Sequence, residues 1–443
     1  MTQRRRTWML LGAALLVFGA ALAWRLMFLP SALGFAGGHQ VDLAQYQGAG
    51  VTGVPSELAN AEPLTKGKYL AEATDCAACH TAKGGKPFAG GRPFKLPFGT
   101  IYTPNITPDR ETGIGAWTDA EFLRAVHKGI GRNGQRLYPA FPYASYTLLT
   151  DADVLAIRGY LASIPAVRQA NLPNSFSFPF NQRWLMAIWG TFFNPDSRFR
   201  PVAERSAQWN RGAYLVEAAG HCGECHTPRT LMQAMDTRRK FAGGQAEGWN
   251  AYNISSDRLS GVGAWSSDDL ASYLAKGHAP GHGVASGPMA EAVELSTSRM
   301  TPTDIAAMVA YLQTIPPIKN KSSPPMAGPA PTVASAGPND NPAGKRLFEG
   351  ACASCHAWNG RGAVTPDQQL TGNRAVNDAS AANVAMMILN GIGSPEHSGA
   401  FMPSFRAAYS DEEIASVANY VTARFGAKPS RVSAADVGKM REE

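Results

Sequence analysis

The chain has 443 residues, 17% of them charged, and a net charge of +7. Apart from Arg4-Arg5-Arg6 the basic excess is dispersed, which argues against a nucleic-acid partner and for docking, solubility or a membrane-surface effect. The length suits about three domains.

Those three arginines precede an apolar stretch from Trp8 to about Leu29, interrupted by Arg25. Its core approaches the roughly 20 residues that span a bilayer. Residues 1–30 therefore read as an uncleaved transmembrane anchor. The competing reading is a signal helix cleaved after Ala21-Leu22-Ala23. With the arginines kept in the cytoplasm, both readings put everything after residue 30 on the periplasmic side of the inner membrane. Residues 31–62 follow as an extended lead-in.

The next feature is a repeat. All six cysteines fall in three copies of one pentapeptide: Cys76-Ala-Ala-Cys79-His80, Cys222-Gly-Glu-Cys225-His226 and Cys352-Ala-Ser-Cys355-His356. C-x-x-C-H is the attachment sequence of haem c. Two thiols one helical turn apart can add to the two vinyl groups of one porphyrin, and the histidine that follows offers its imidazole to the iron. Disulfides need no histidine after the second cysteine each time. A structural zinc site wants four ligands, and each motif offers three. A thioredoxin-like pair would need a βαβ setting, which is absent from the pattern. The sequence thus predicts three covalently bound haems c, with His80, His226 and His356 as iron ligands.

Around the motifs the chain reads as mainly α, with three tandem c-type cytochrome domains. Domain 1 covers 63–165, domain 2 covers 208–316 and domain 3 covers 342–430. Upstream of each motif a helix carries a glycine and an aromatic: Gly67 with Tyr69, Gly212 with Tyr214, Gly344 with Phe348. Each domain ends in an amphipathic helix, at 149–165, 300–316 and 409–426, with Thr150 a candidate N-cap for the first. The first two domains share more. "FAGG" at 88–91, "PNITPD" at 104–109 and "GIGAWTDAEF" at 113–122 recur as "FAGG" at 241–244, "YNISSD" at 252–257 and "GVGAWSSDDL" at 261–270. Between these domains, residues 166–207 are rich in aromatics and read as inter-domain packing, or else as a surface for a partner or the bilayer interface. Residues 317–341 have the composition of a Pro-rich linker, and 431–443 form a polar tail.

The repeat also locates the open side of each iron. Met289 lies twelve residues after Gly277, and Met402 eleven after Gly391; both precede the last helix of their domain. A thioether is the expected sixth ligand of a relay haem, since it raises the potential. Met300 competes with Met289 in domain 2. The matching position in domain 1 is Phe141, twelve residues after Gly129, and a phenyl ring cannot coordinate iron. Either another side chain reaches in, with Met186 and His127 the distant candidates, or the iron is five-coordinate, or it takes a small ligand. The alignment places His127 on the surface of its helix.

On "FAGG…TPNITPD…GIGAWTDAEF", "LYPAFPY", "NLPNSFSFPFNQRWLMAIWG" and "GPMAEAVELST", residues 63 to about 426 resemble the three-haem cytochrome c subunits of bacterial membrane-bound dehydrogenases. The resemblance implies electron transfer from a catalytic alcohol- or aldehyde-oxidising subunit to membrane ubiquinone. That subunit carries a quinone cofactor of the PQQ type in some relatives and molybdopterin with iron–sulfur clusters in others; "YPAFPY" favours the molybdopterin, aldehyde-oxidising type. Many relatives have methionine where this chain has Phe141. Two other functions fit the motifs: a peroxidase-like enzyme using an open first haem opposite His80, and a direct donor to a terminal oxidase.

Overall fold

The computed structural model describes residues 3–28, 32–320, 341–393 and 401–442, with side chains in the first helix described over residues 8–20. The helices in chain order are α1 (Gln3–Phe28), α2 (Pro63–Ala73), α3 (Cys76–His80), α4 (Asp119–Lys128), α5 (Tyr143–Tyr146), α6 (Asp151–Ser163), α7 (Leu185–Phe193), α8 (Ala207–Tyr214) and α9 (Gly223–His226). They continue as α10 (Ser267–Lys276), α11 (Pro288–Leu295), α12 (Pro302–Leu312), α13 (Pro342–Leu347), α14 (Ala353–His356), α15 (Ala382–Asn390), α16 (Asp411–Phe425) and α17 (Ala434–Glu442). Among the described residues no helix is long and apolar enough to cross a membrane, and the side chains at both ends of α1 lie outside that description. The expected Pro-rich linker falls mostly on residues 321–340, also outside the described residues.

The frame is three crossed helix pairs: α2 with α6, α8 with α12, and α13 with α16. The closing helices begin where their caps predict. The Thr150 hydroxyl accepts from the Asp153 amide at 3.1 Å and Thr301 from the Asp304 amide at 3.3 Å. Ser410 and Glu413 cap each other's backbone at 3.3 and 2.8 Å. Each such cap is worth about 1 kcal/mol.

The glycines upstream of the motifs make the crossings possible. A Cβ on Gly67 would stand 2.3 Å from the Ala156 carbonyl oxygen; on Gly212 it would stand 1.9 Å from Ala307 O, and on Gly344 2.3 Å from Ser416 O. Hydrogen is the only side chain that lets these backbones meet. The accompanying aromatics Tyr69, Tyr214 and Phe348 are buried in the cores so formed.

The first two pairs share one core. Leu70, Ile157 and Leu161 belong to the same buried cluster as Tyr214, Leu215, Trp265, Met308 and Tyr311. The lead-in is drawn into it through Leu33, Ala36 and Val51. The third pair has its own core around Phe348, Leu389, Ile414 and Val417, joined by Trp249 from the second. It docks on the second pair by an exchange of amides. Asn250 N donates to Asn383 Oδ1 at 2.8 Å, and Asn383 Nδ2 donates to Asn250 O at 3.0 Å.

Strand content is small and follows the repeat. β1 (Pro93–Leu96) and β2 (Gly99–Tyr102) form an antiparallel hairpin to which β3 (Ser175–Phe176) adds. β4 (Gly244–Ala246) and β5 (Trp249–Ala251) form the matching hairpin in the second unit, and β6 (His278–Ala279) pairs with β7 (Gly283–Val284).

Candidate haem c sites

Each pentapeptide ends in a short helix, α3, α9 or α14, that presents its histidine. In all three the ring Nδ1 lies against a backbone carbonyl: His80 on Pro104 O at 2.7 Å, His226 on Tyr252 O at 2.6 Å, His356 on Gln368 O at 2.6 Å. Nδ1 therefore carries the proton and donates it, which fixes the tautomer and leaves Nε2 to ligate a metal. Burial holds all three imidazoles below the usual histidine range, so each keeps its lone pair at neutral pH. All six cysteines are free. Burial pushes the thiols of Cys76, Cys222 and Cys352 up to about 11, 12 and 11, and those of Cys79 and Cys225 to about 12 and 11. Two free thiols a helical turn apart, with a tautomer-locked neutral imidazole beside them, are the donor set that haem c requires.

The repeated blocks build the carbonyl side of this arrangement. In "FAGG" the amides of Gly90 and Gly243 donate at 2.8 Å to the carbonyls of His80 and His226. The hydroxyls of Thr81 and Thr227 each accept from the following phenylalanine amide, Phe88 or Phe241, at 3.1 Å. In "PNITPD" and "YNISSD" the buried Asn105 and Asn253 turn their Oδ1 onto the amides of Thr107 and Ser255, at 2.9 and 2.8 Å. That turn holds Pro104 and Tyr252 over the imidazoles. The third site reaches the same end with a different loop, the turn Pro366–Gln368. It is also the most open site: Cys355 is exposed, as are Trp358 and Val364.

Of the expected sixth ligands, Met289 sits in the first turn of α11 and Met300 follows that helix; both are half-buried against the main core. Met402 is held by a two-way backbone bridge with Ile392, both bonds 2.9 Å, and packs on the third core. Phe141 is half-buried against the main core, 5.5 Å from the Tyr146 ring. Tyr146 in turn donates to Thr74 O at 2.6 Å, and the Thr74 hydroxyl lies 3.3 Å from Cys76 Sγ. Phe141 thus reaches the first motif through Tyr146 and Thr74. Met186 borders the same small cluster as Phe141, around Tyr143, Trp189 and Ala234. His127 corrects an expectation. It is buried, not on the helix surface, with Nδ1 3.6 Å from Asp151 and its carbonyl accepting from Asn194.

The first two sites face each other. α11, which carries Met289, packs against α3, and Arg92 clamps the contact by donating to Ala78 O at 2.7 Å and Glu291 at 2.6 Å. In return Ser145 of α5 donates to Glu224, inside the second motif, at 2.8 Å. The Glu247 carboxylate raises the thiols of both Cys79 and Cys225, so the two attachment helices share one neighbourhood. Residues missed by sequence reasoning sit at this seam. Asp75, just before Cys76, is left-handed with φ 53°, and burial followed by Glu291 pushes its carboxyl up to about 7. His221, just before Cys222, has φ 36° and lies 5.3 Å from Tyr146.

This geometry agrees with comparison to known proteins. The cytochrome c family model matches residues 64–165 and 342–424. The gluconate 2-dehydrogenase cytochrome c subunit of Pantoea cypripedii is 36% identical over 406 residues, covering 87% of this chain and 91% of that protein. The chain belongs to the cytochrome c subunits of dehydrogenases. As a member it binds haem c covalently. Another relative, the cytochrome c subunit of a quinone alcohol dehydrogenase from Gluconacetobacter polyoxogenes, is 36% identical over 399 residues, covering 86% of this chain and 84% of its own. A nicotinate dehydrogenase subunit of Pseudomonas putida is 40% identical over 437 residues, 97% of this chain, and the chain spans about a third (35%) of that protein.

Proposed function

We propose that the chain is a three-haem relay, taking electrons from a partner dehydrogenase and delivering them to ubiquinone in the membrane. The observation that carries this is the triplicate imidazole–carbonyl bond at His80, His226 and His356, set beside relatives named as cytochrome c subunits of dehydrogenases. Haem c supplies one-electron exchange at its iron when bound. The chain does the rest. Six cysteines retain the three groups, three histidines hold the irons, and Met289 and Met402 complete the second and third sites. At the first site Phe141 leaves the sixth position open or to a substitute, of which Met186 is the better placed. The relay sits in three tandem cytochrome units on the periplasmic side of the inner membrane, with residues 1–30 as its anchor. The partner is of the molybdopterin, aldehyde-oxidising type, on the strength of "YPAFPY".

A pyridine haemochrome assay on the purified chain tests the count, with three haems per chain expected. Detergent extraction tests the relay. The chain is expected to co-purify with a dehydrogenase whose substrate reduces its haems and then a ubiquinone analogue. Fewer than three haems, or co-purification with oxidase subunits and never a dehydrogenase, overturns the reading. Peroxide turnover by the isolated chain would shift it to the enzyme alternative.

A further inference from the structure

The aromatic segment between the first two helix pairs is only half absorbed by packing. Trp189 is buried, and its indole Nε1 donates to Met232 O at 2.9 Å, which ties α7 to the loop 228–240. The outer side is bare. Phe178 is 79% exposed, Trp184 62% and Ile188 47%, and the loop adds Leu231 (101%) and Met232 (59%). Trp184 and Ile188 are one turn apart, on one face of α7. Single exposed apolar residues are ordinary; a contiguous group of large ones marks an interaction surface.

Two observations identify what covers it. The first is its position. The loop 228–240 ends at Lys240, whose ammonium donates to Ala32 O at 3.1 Å. Immediately beyond, Leu33 and Ala36 are buried in the main core and the Phe35 ring lies 6.0 Å from Tyr311. The segment leaving α1 therefore meets the body at the end of the same loop that carries Leu231. Along residues 8–18, α1 itself exposes Trp8, Leu10, Leu15, Leu16 and Val17. The second is charge. Of the five basic side chains in residues 172–193 and 228–240, Arg229, Arg238 and Lys240 pair with Glu224, Asp236 and Glu217, which leaves Arg183 and Arg239 as a net excess of two positive charges.

We propose that Phe178, Trp184, Ile188, Leu231 and Met232 rest in the interface of an anionic lipid bilayer. The aromatics lie at headgroup depth and the exposed Arg239 turns to lipid phosphate. The proposal rests on the reading of α1 as a membrane anchor, and it fixes which face of the body the anchor draws down.

The test uses the full-length holoprotein, its native cysteines occupied by haem. Leu231→Cys and, as a control outside the patch, Leu259→Cys are spin-labelled and reconstituted into phosphatidylcholine–phosphatidylglycerol vesicles. Collision with a water-soluble nickel chelate is compared with collision with oxygen. At position 231 vesicle binding is expected to lower nickel collision several-fold and raise oxygen collision, with position 259 unchanged. Pelleting of the protein with vesicles while both labels stay equally open to nickel overturns the patch but not the anchor. Protein left in the supernatant overturns the anchor, and the proposal with it. Protection of position 231 only after a dehydrogenase subunit is added also overturns it, in favour of a protein partner.

Discussion

The hydroxyl of Tyr69 donates to Asp304 Oδ2 at 2.6 Å, joining the opening helix of the first unit to the closing helix of the second. The exchange is returned by Tyr214, which donates to Asp153 Oδ2 at 2.5 Å. Asp304 also holds Arg211 at 2.7 and 2.8 Å, and both side chains are almost wholly buried. Asp304→Ala leaves a buried guanidinium unpaired and is expected to cost about 3–5 kcal/mol. Tyr69→Phe removes one hydrogen bond and is expected to cost about 1–3 kcal/mol. Urea unfolding of the holoprotein measures both, and equal effects of the two changes would contradict the assignment.

Gly212→Ala forces a methyl group into the Ala307 carbonyl, where a Cβ would stand at 1.9 Å. Overpacking of this kind costs about 1–3 kcal/mol or more. The second helix pair should splay, and less haem-loaded protein should accumulate. Gly159→Ala, on α6 with nothing within 4 Å of its Cβ, is the matched control and should be tolerated.

Phe141→Met places a thioether where the other two units have one. It is expected to strengthen the far-red methionine–ferric iron band, to raise the potential of one component, and to diminish carbon monoxide binding by the reduced protein. An unchanged spectrum and an unchanged potentiometric titration would mean that Phe141 does not face the first iron.

His127 gives an acid-sensitive step. Burial, followed by the Arg198 charge, pushes its imidazole down to about 4 from an unfolded value of 6.5. Between those values the unfolded chain binds the extra proton, so stability is full above pH 6.5 and falls as the pH drops toward 4. The loss reaches about 3 kcal/mol. His127→Gln should flatten this part of the stability–pH curve, as read by thermal melts from pH 7 to pH 4.

What the sequence made legible was side-chain chemistry at fixed spacing. The Thr150 cap and the glycine–aromatic pairs on the opening helices stand in the structure in the places expected. What stayed hidden was work done by backbone or by distant partners. Pro104 and Tyr252 open a visibly repeated block, yet their contribution is a carbonyl, which every residue type possesses. Gln368 does the same from an unrelated loop. Tyr69 and Tyr214 read as simple core, and Asp304 shows as a first-turn acid. Their pairing across the units depends on a packing that no local pattern encodes. His127 misled because the alignment of the two repeats says nothing about Asn194 and Asp151, which close over it from elsewhere.

The shared core of the first two helix pairs makes the unit of folding longer than the unit of repeat. A chain cut between them, at about residue 166, would leave Leu70, Ile157 and Leu161 without the Tyr214, Met308 and Tyr311 side that completes their cluster. Neither half could then close its core alone. In the proposed relay, where tunnelling rates would fall steeply with distance, a core shared in this way would hold the attachment helices α3 and α9 at one separation. The third unit, with a core of its own, joins that body through Trp249 and the Asn250–Asn383 amide exchange.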